Sequence, residues 1–113
     1  MLQRALALAE RFRTSDNPYF LDTLGWLNYR KGDLAAAQIY LQRAISLAGD
    51  ERQFRYHLGM ALNASGQKAR ALEELERASA DGPDFPGLAT ARETRDALHV
   101  ALGQPVPAAA SSN

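Results

Sequence analysis

The feature that most restricts the fold of this chain is an internal repeat with a period of 34 residues. When residues 18–51 are laid over residues 52–85, ten positions carry the same amino acid. The shared pairs are Phe20 and Phe54, Leu24 and Leu58, Gly25 and Gly59, Gly32 and Gly66, Ala35 and Ala69, Ala37 and Ala71, Leu41 and Leu75, Arg43 and Arg77, Ala44 and Ala78, and Asp50 and Asp84. Most are small or apolar and recur at steps of three, four or seven, as on one face of a helix. The repeat therefore predicts one structural unit that is copied along the chain.

Turn residues divide each unit into two predicted helices. Asn17 followed by Pro18 is typical of a helix start, because asparagine caps the first backbone N–H groups and proline tolerates the first helical position. Gly32 followed by Asp33 is typical of a left-handed turn that leads into a second helix, and Gly66 takes the same place one period later. We therefore expect an all-α fold in which each unit is a helix, a tight turn and a helix.

The flanking segments complete one predicted domain over residues 1–103, with about six helices. The predicted divisions are 1–13 (second helix of a preceding half repeat), 18–51 (first repeat), 52–85 (second repeat), 86–103 (capping helix) and 104–113 (tail). The tail is small, proline-containing and aperiodic, so we predict that it is disordered.

Gly25 and Gly59 stand at equivalent places inside the first helix of each unit. A glycine inside a helix costs about 1 kcal/mol relative to alanine, so another interaction must offset that cost. Small residues let the two helices of a hairpin approach closely, which predicts a packing role for both glycines. A local hinge at Gly25 is the alternative.

These residues together resemble the tetratricopeptide repeat. The first unit matches that family's signature positions at Leu24, Gly25, Gly32, Ala37, Leu41 and Ala44, and the second at Leu58, Gly59, Leu62, Gly66, Ala71, Leu75, Ala78 and Pro83. Leu21 and Arg55 depart from the tryptophan that is common in the family. The resemblance implies a right-handed superhelix whose first helices line a concave groove that receives an extended peptide or a partner's helix.

The resemblance also implies which residues face that groove. They are Tyr19, Asp22, Thr23, Trp26, Tyr29, Arg30, Gln53, Tyr56, His57, Met60 and Asn63. Leu24, Gly25 and Leu27 already account for the stripe that faces the hairpin. Trp26 and Tyr29 are left to face the groove, and these are the residue types most enriched at binding hot spots. The alternative is that Trp26 packs as ordinary core against the first helix of the neighbouring unit.

The family's lysine and asparagine clamp for a partner's carboxylate is absent from the matching positions, which favours an apolar or aromatic-containing peptide. Arg30 and Arg55 remain available to hold one carboxylate. The acidic run at 73–76 lies within one turn of Arg70 and Arg77, so we expect a solvated face with ion pairs inside that helix.

Composition argues against catalysis and against several partner classes. The chain has 13 basic and 13 acidic residues and no cysteine, so neither a nucleic-acid surface nor a thiolate site is predicted. His57 and His99 lie 42 positions apart on different helices, where we expect surface or groove positions and no shared catalytic or metal site. No cofactor motif occurs.

The sequence therefore predicts a non-enzymatic scaffold that binds a protein or peptide in its groove. The alternative is a self-assembling module, either a homo-oligomer or the end of a longer solenoid, because two complete repeats are close to the lower limit for a stable array. The chain is also similar to the C-terminal repeats of large bacterial tetratricopeptide proteins. No apolar span reaches membrane length, which predicts a soluble protein of the cytoplasm or periplasm, without membrane insertion.

Overall fold

The computed structural model describes residues 16–104, which contain five α-helices and no β-strand. The helices are α1 (Pro18–Lys31), α2 (Leu34–Leu47), α3 (Arg52–Ala64), α4 (Lys68–Ala78) and α5 (Leu88–Ala101). The all-α prediction is confirmed. The helix predicted over 1–13 and nearly all of the tail predicted over 104–113 lie outside the described residues.

The first hairpin begins each of its helices with the predicted cap. The Asn17 side chain accepts a hydrogen bond from the backbone N–H of Tyr19 at 2.9 Å, and Pro18 occupies the first helical position. The carboxylate of Asp33 accepts from the backbone N–H of Ala36 at 3.1 Å. Both caps satisfy N–H groups that a helix start leaves without a partner.

The two hairpin turns share one backbone geometry. Gly32 and Gly66 have φ of 98° and 86°, in the left-handed region that glycine enters without steric cost. At each turn the residue after the glycine donates its N–H to the carbonyl five residues earlier, at 2.9 Å. This bond closes the helix end and reverses the chain direction, as the glycine positions predict.

Gly25 and Gly59 mark the places where the helices of each hairpin approach most closely. A Cβ atom at Gly25 would lie 2.6 Å from Cγ of Leu41, and one at Gly59 would lie 2.7 Å from Cγ of Leu75. Both leucines are fully buried, so neither has free space to move into. The predicted packing role is confirmed, and α1 continues without a break through Gly25, which contradicts the hinge alternative.

The hairpins stack so that like helices are neighbours. Helix α1 packs on α2 and α3 packs on α4 within the hairpins, while α2 contacts α3 and α4 contacts α5. Helices α1, α3 and α5 also contact one another in sequence and form one layer. The fully buried large side chains between the layers are Leu21, Leu24, Leu41, Leu58, Leu62 and Leu75. Groove residues on α1 are therefore placed beside groove residues on α3.

The acidic run on α4 is less solvated than its composition indicates. Glu74 has the predicted partner within its own helix, Arg77, at 3.7 Å, but it lies closer to Arg55 of α3, at 2.9 Å. The side chains of Arg55 and Glu74 are only 18% and 15% exposed, whereas that of Arg77 is 61% exposed. The expectation of a solvated face is therefore wrong for Glu74, because the hairpin brings it against α3.

We expect the Arg55–Glu74 pair to stabilise the second hairpin. A double-mutant cycle with Arg55→Ala and Glu74→Ala, followed by urea unfolding, should give a coupling free energy of about 1 kcal/mol, since the pair is short and mostly shielded from water. The parallel cycle of Arg77→Ala with Glu74→Ala should give at most about 0.5 kcal/mol, the value typical of exposed pairs. Equal coupling in both cycles would contradict the assignment of Arg55 as the principal partner.

Candidate functional site

The predicted groove residues lie on α1 and α3, and the structure divides them by burial. Tyr19, Thr23 and Arg30 are exposed, Trp26, Tyr29, Gln53, Met60 and Asn63 are half-buried, and Asp22, Tyr56 and His57 are buried. Side chains of the first two groups are accessible to a partner. The buried three offer little surface to a partner, although Asp22 and His57 lie at the pocket between the two helices.

Trp26 connects the two first helices through ring stacking. Its ring lies 4.0 Å from the ring of His57 on α3, with 24° between the planes, and 4.6 Å from that of Tyr29, with 12° between the planes. Trp26 is thus packed against the neighbouring repeat and at the same time remains partly exposed. Such an aromatic residue, rigidly held with part of its surface open, is a typical binding anchor.

Tyr56 extends this aromatic row toward the loop before α5. Its ring centroid lies 5.6 Å from that of Trp26 and 6.1 Å from that of Phe85. The ring fills the space beside Gly87, where a Cβ atom would overlap it. Burial, and then the neighbouring Tyr29, raise the pKa of Tyr56, so its hydroxyl stays neutral at physiological pH. The buried Tyr56 ring therefore packs against Trp26 and helps to hold it in position.

His57 is held by a buried carboxylate from the other first helix. Nδ1 of His57 lies 2.7 Å from Oδ1 of Asp22, and the two side chains are 8% and 11% exposed. Burial raises the pKa of Asp22, and the nearby Glu51 charge adds to that effect, while the hydrogen bond and charge of His57 oppose it. The pair fixes the imidazole plane on which Trp26 stacks. The expectation of surface or groove positions is wrong for His99, which is 5% exposed on α5, whereas His57 is buried but still faces the groove between α1 and α3.

An open pocket of about 320 Å³ lies between α1 and α3, at the end where α3 begins. Its lining residues are Tyr19, Asp22, Thr23, Trp26, Leu27, Glu51, Gln53, Phe54 and His57. Glu51 and Phe54 were not among the predicted groove residues. Phe54 packs edge-on against Tyr19 at a centroid distance of 5.4 Å, and Glu51 precedes the first residue of α3. No motif marks either residue, because each reaches the pocket through the contact between two hairpins.

Arg55 does not face the pocket. Its guanidinium donates to Glu74 at 2.9 Å and to the backbone carbonyl of Gly49 at 3.3 Å. Arg30 is exposed near the end of α1. The expectation that Arg30 and Arg55 are both free to hold a partner's carboxylate is therefore wrong for Arg55.

Residues 16–104 contain neither a metal-binding cluster nor a membrane-spanning helix. No group of three or more histidine, aspartate or glutamate side chains in this range is arranged to hold a metal ion. None of its helices combines the length and the apolar character that crossing a membrane requires.

Residues 19–51, which include α1 and α2, match the family model of the tetratricopeptide repeat. A tetratricopeptide repeat-containing protein of Pseudomonas aeruginosa is 41% identical to this chain over 56 residues, which make up 50% of this chain. The aligned part is 9% of that protein's length, so this chain spans a small fraction of its relative. The stacked hairpins, their matched glycines and these two similarities agree in indicating a tetratricopeptide repeat, which the family model places at residues 19–51.

Proposed function

We propose that this chain is a scaffold that binds a segment of another protein in the groove between α1 and α3. Tetratricopeptide repeats are generally protein–protein interaction modules. The observation that supports the groove as the binding surface is Trp26, which is partly exposed at the pocket and stacked on His57 and Tyr29. Because the Trp26 ring is already fixed in position, it loses little conformational entropy when a partner side chain packs against it.

The geometry suits an extended segment or one face of a helix. The pocket is open, and the accessible groove residues follow α1 and α3 from Tyr19 and Gln53 at one end to Arg30 and Asn63 at the other. A segment that lies across these helices meets aromatic, amide and charged side chains in turn. No residue in this set forms a catalytic constellation, so the proposal is one of binding without chemical conversion.

The proposal predicts that Trp26→Ala weakens binding at least about tenfold, as is common for a central aromatic anchor. Peptides selected from a phage-displayed library on the wild-type chain would be labelled with fluorescein, and their affinity measured by fluorescence anisotropy. Tyr19→Ala is the companion variant, because Tyr19 lines the same pocket but is 57% exposed and contributes little to the core.

The matched control is Tyr40→Ala. Tyr40 is a partly buried aromatic residue on α2 that packs against the core and is absent from the pocket lining, so its removal affects stability but not the groove. We expect its affinity to stay within about twofold of wild type once the fold is verified by circular dichroism. Selected peptides that bind Trp26→Ala and Tyr19→Ala as tightly as wild type would overturn the groove assignment. Concentration-dependent oligomers whose formation requires Trp26 would favour self-assembly instead.

A further inference from the structure

The pocket between α1 and α3 is lined by two acidic side chains and by no lysine or arginine. Asp22 and Glu51 both line it, and His57 is the third titratable group there apart from the Tyr19 hydroxyl. Asp22 is held by His57, with 2.7 Å between Oδ1 and Nδ1. Glu51 precedes α3 but makes no capping bond with its side chain, and its Oε1 lies 3.4 Å from the hydroxyl of Tyr19. The Glu51 carboxylate is thus placed at the pocket and is not used to cap its own helix.

The nearest arginines in the sequence are both turned away from this pocket. Arg52 donates to the backbone carbonyls of Ala78 and Pro83, at 3.1 and 2.5 Å, and its guanidinium lies 5.2 Å from the ring centroid of Phe85. Arg55 is bound to Glu74. Neither of these two guanidinium groups therefore contacts the Glu51 carboxylate, and the residues that line the pocket include two carboxylates and no lysine or arginine.

Three of the other residues that line the pocket are aromatic. Tyr19, Trp26 and Phe54 all line it, with Tyr19 and Phe54 arranged edge to face. Aromatic faces attract cations through the ring quadrupole, and they also pack well against the methylene stems of long basic side chains. Its volume of about 320 Å³ lies at the small end of the range for ligand pockets, which suits one side chain.

We propose that this pocket recognises an arginine or lysine side chain of the bound segment, with Glu51 as the ionic partner and the aromatic residues packed along the stem. This inference rests on the proposed function, since it names the chemistry of the segment that the groove receives. Such a pocket prefers a positively charged side chain, whereas a site that holds a partner's carboxylate prefers a negatively charged one. The guanidinium of arginine, which stacks on aromatic faces as well as pairing with carboxylates, fits both features.

The test compares blocked tripeptides of the form acetyl-Gly-X-Gly-amide in which X is arginine, lysine, citrulline or glutamate. Citrulline keeps the length and planar end of arginine but carries no charge. Binding would be followed by the NMR shift of the indole N–H of Trp26, which is the sole tryptophan of the chain. We expect the arginine peptide to bind about five- to tenfold more tightly than the citrulline peptide, and the glutamate peptide to bind least.

Two protein variants identify the carboxylate responsible. Glu51→Gln keeps the size and hydrogen-bonding ability of the side chain, and we expect it to reduce the preference for arginine over citrulline to within about twofold. Glu76→Gln makes the same change in net charge on the exposed face of α4, outside the pocket, and should leave the preference unchanged. Equal binding of the arginine and citrulline peptides to wild type, or an unchanged preference in Glu51→Gln, would overturn the inference.

The library selection separates this inference from the proposed function. If selected peptides depend on Trp26 but carry no basic residue, and the arginine tripeptide shows no preference, the scaffold proposal stands and the cation pocket is wrong. If arginine-containing peptides bind with equal affinity to wild type and Trp26→Ala, the groove assignment itself fails.

Discussion

Gly25→Ala should lower the free energy of unfolding by about 2 kcal/mol, although alanine is the better helix former by about 1 kcal/mol. The sign follows from packing, since the new Cβ would lie 2.6 Å from Cγ and 2.9 Å from Cδ2 of Leu41, which is fully buried. It would also lie 3.2 Å from the backbone carbonyl oxygen of Ala37. The helices must therefore separate or Leu41 must leave its position. Urea unfolding followed by circular dichroism measures the loss.

Gly59→Ala tests the same contact in the second hairpin, where the nearest atom is Cγ of Leu75 at 2.7 Å. The two substitutions affect different hairpins without a shared contact, so we expect their effects to add to about 4 kcal/mol, a large part of the stability of a small domain. Gly49→Ala is the control, because its nearest contact would be 3.4 Å and the change should cost less than about 0.5 kcal/mol. An unchanged or raised stability in Gly25→Ala would show that helix propensity outweighs packing at this position.

Asp22→Ala is expected to lower the free energy of unfolding by about 3 kcal/mol, the size typical of breaking a buried pair. The substitution removes the partner of His57 Nδ1 while the imidazole stays buried between α1 and α3. We also expect a red shift in the fluorescence of Trp26, because its stack at 4.0 Å depends on the orientation of the His57 ring. Urea unfolding and the emission spectrum measure the two effects on the same samples.

Asp22→Asn is the matched variant for this prediction. The asparagine carbonyl oxygen occupies the place of Oδ1 and accepts from Nδ1 of His57, so we expect a loss of no more than about 1 kcal/mol and an unchanged emission maximum. If Asp22→Ala stays within about 0.5 kcal/mol of wild type, the pair contributes little to stability. If Asp22→Asn loses as much as Asp22→Ala, the ionised carboxylate matters rather than the hydrogen bond alone.

The candidate site was only partly accessible from the sequence. The sequence predicts Trp26 and Tyr29 at the groove because other residues of α1 fill the hairpin face, and the structure leaves both partly exposed. The two alternatives offered for Trp26, groove or neighbouring core, turn out to be compatible, since one part of the ring stacks on His57 and another lines the pocket. A residue where two repeats meet can pack against the neighbouring repeat with one part of its side chain and face the groove with another.

The sequence does not predict the side-chain pairs that join separate helices. Asp22 and His57 are 35 positions apart, one period plus one residue, and no pattern within either helix links them. Arg55 was expected to be free for a partner, yet it reaches Glu74 on the next helix. Helical periodicity assigns a residue to a face, but it does not specify how far one helix is displaced along its neighbour.

The sequence by itself determined the hairpins of this protein. Their left-handed turns depend on local backbone geometry and their contact glycines on the small size of one residue, and both features repeat every 34 residues. Only the tertiary structure decided the composition of the pocket, where Glu51 and Phe54 from α3 and the turn before it meet Tyr19 and Trp26 from α1. That meeting depends on how successive hairpins stack, and stacking is set by the whole buried interface rather than by any single motif.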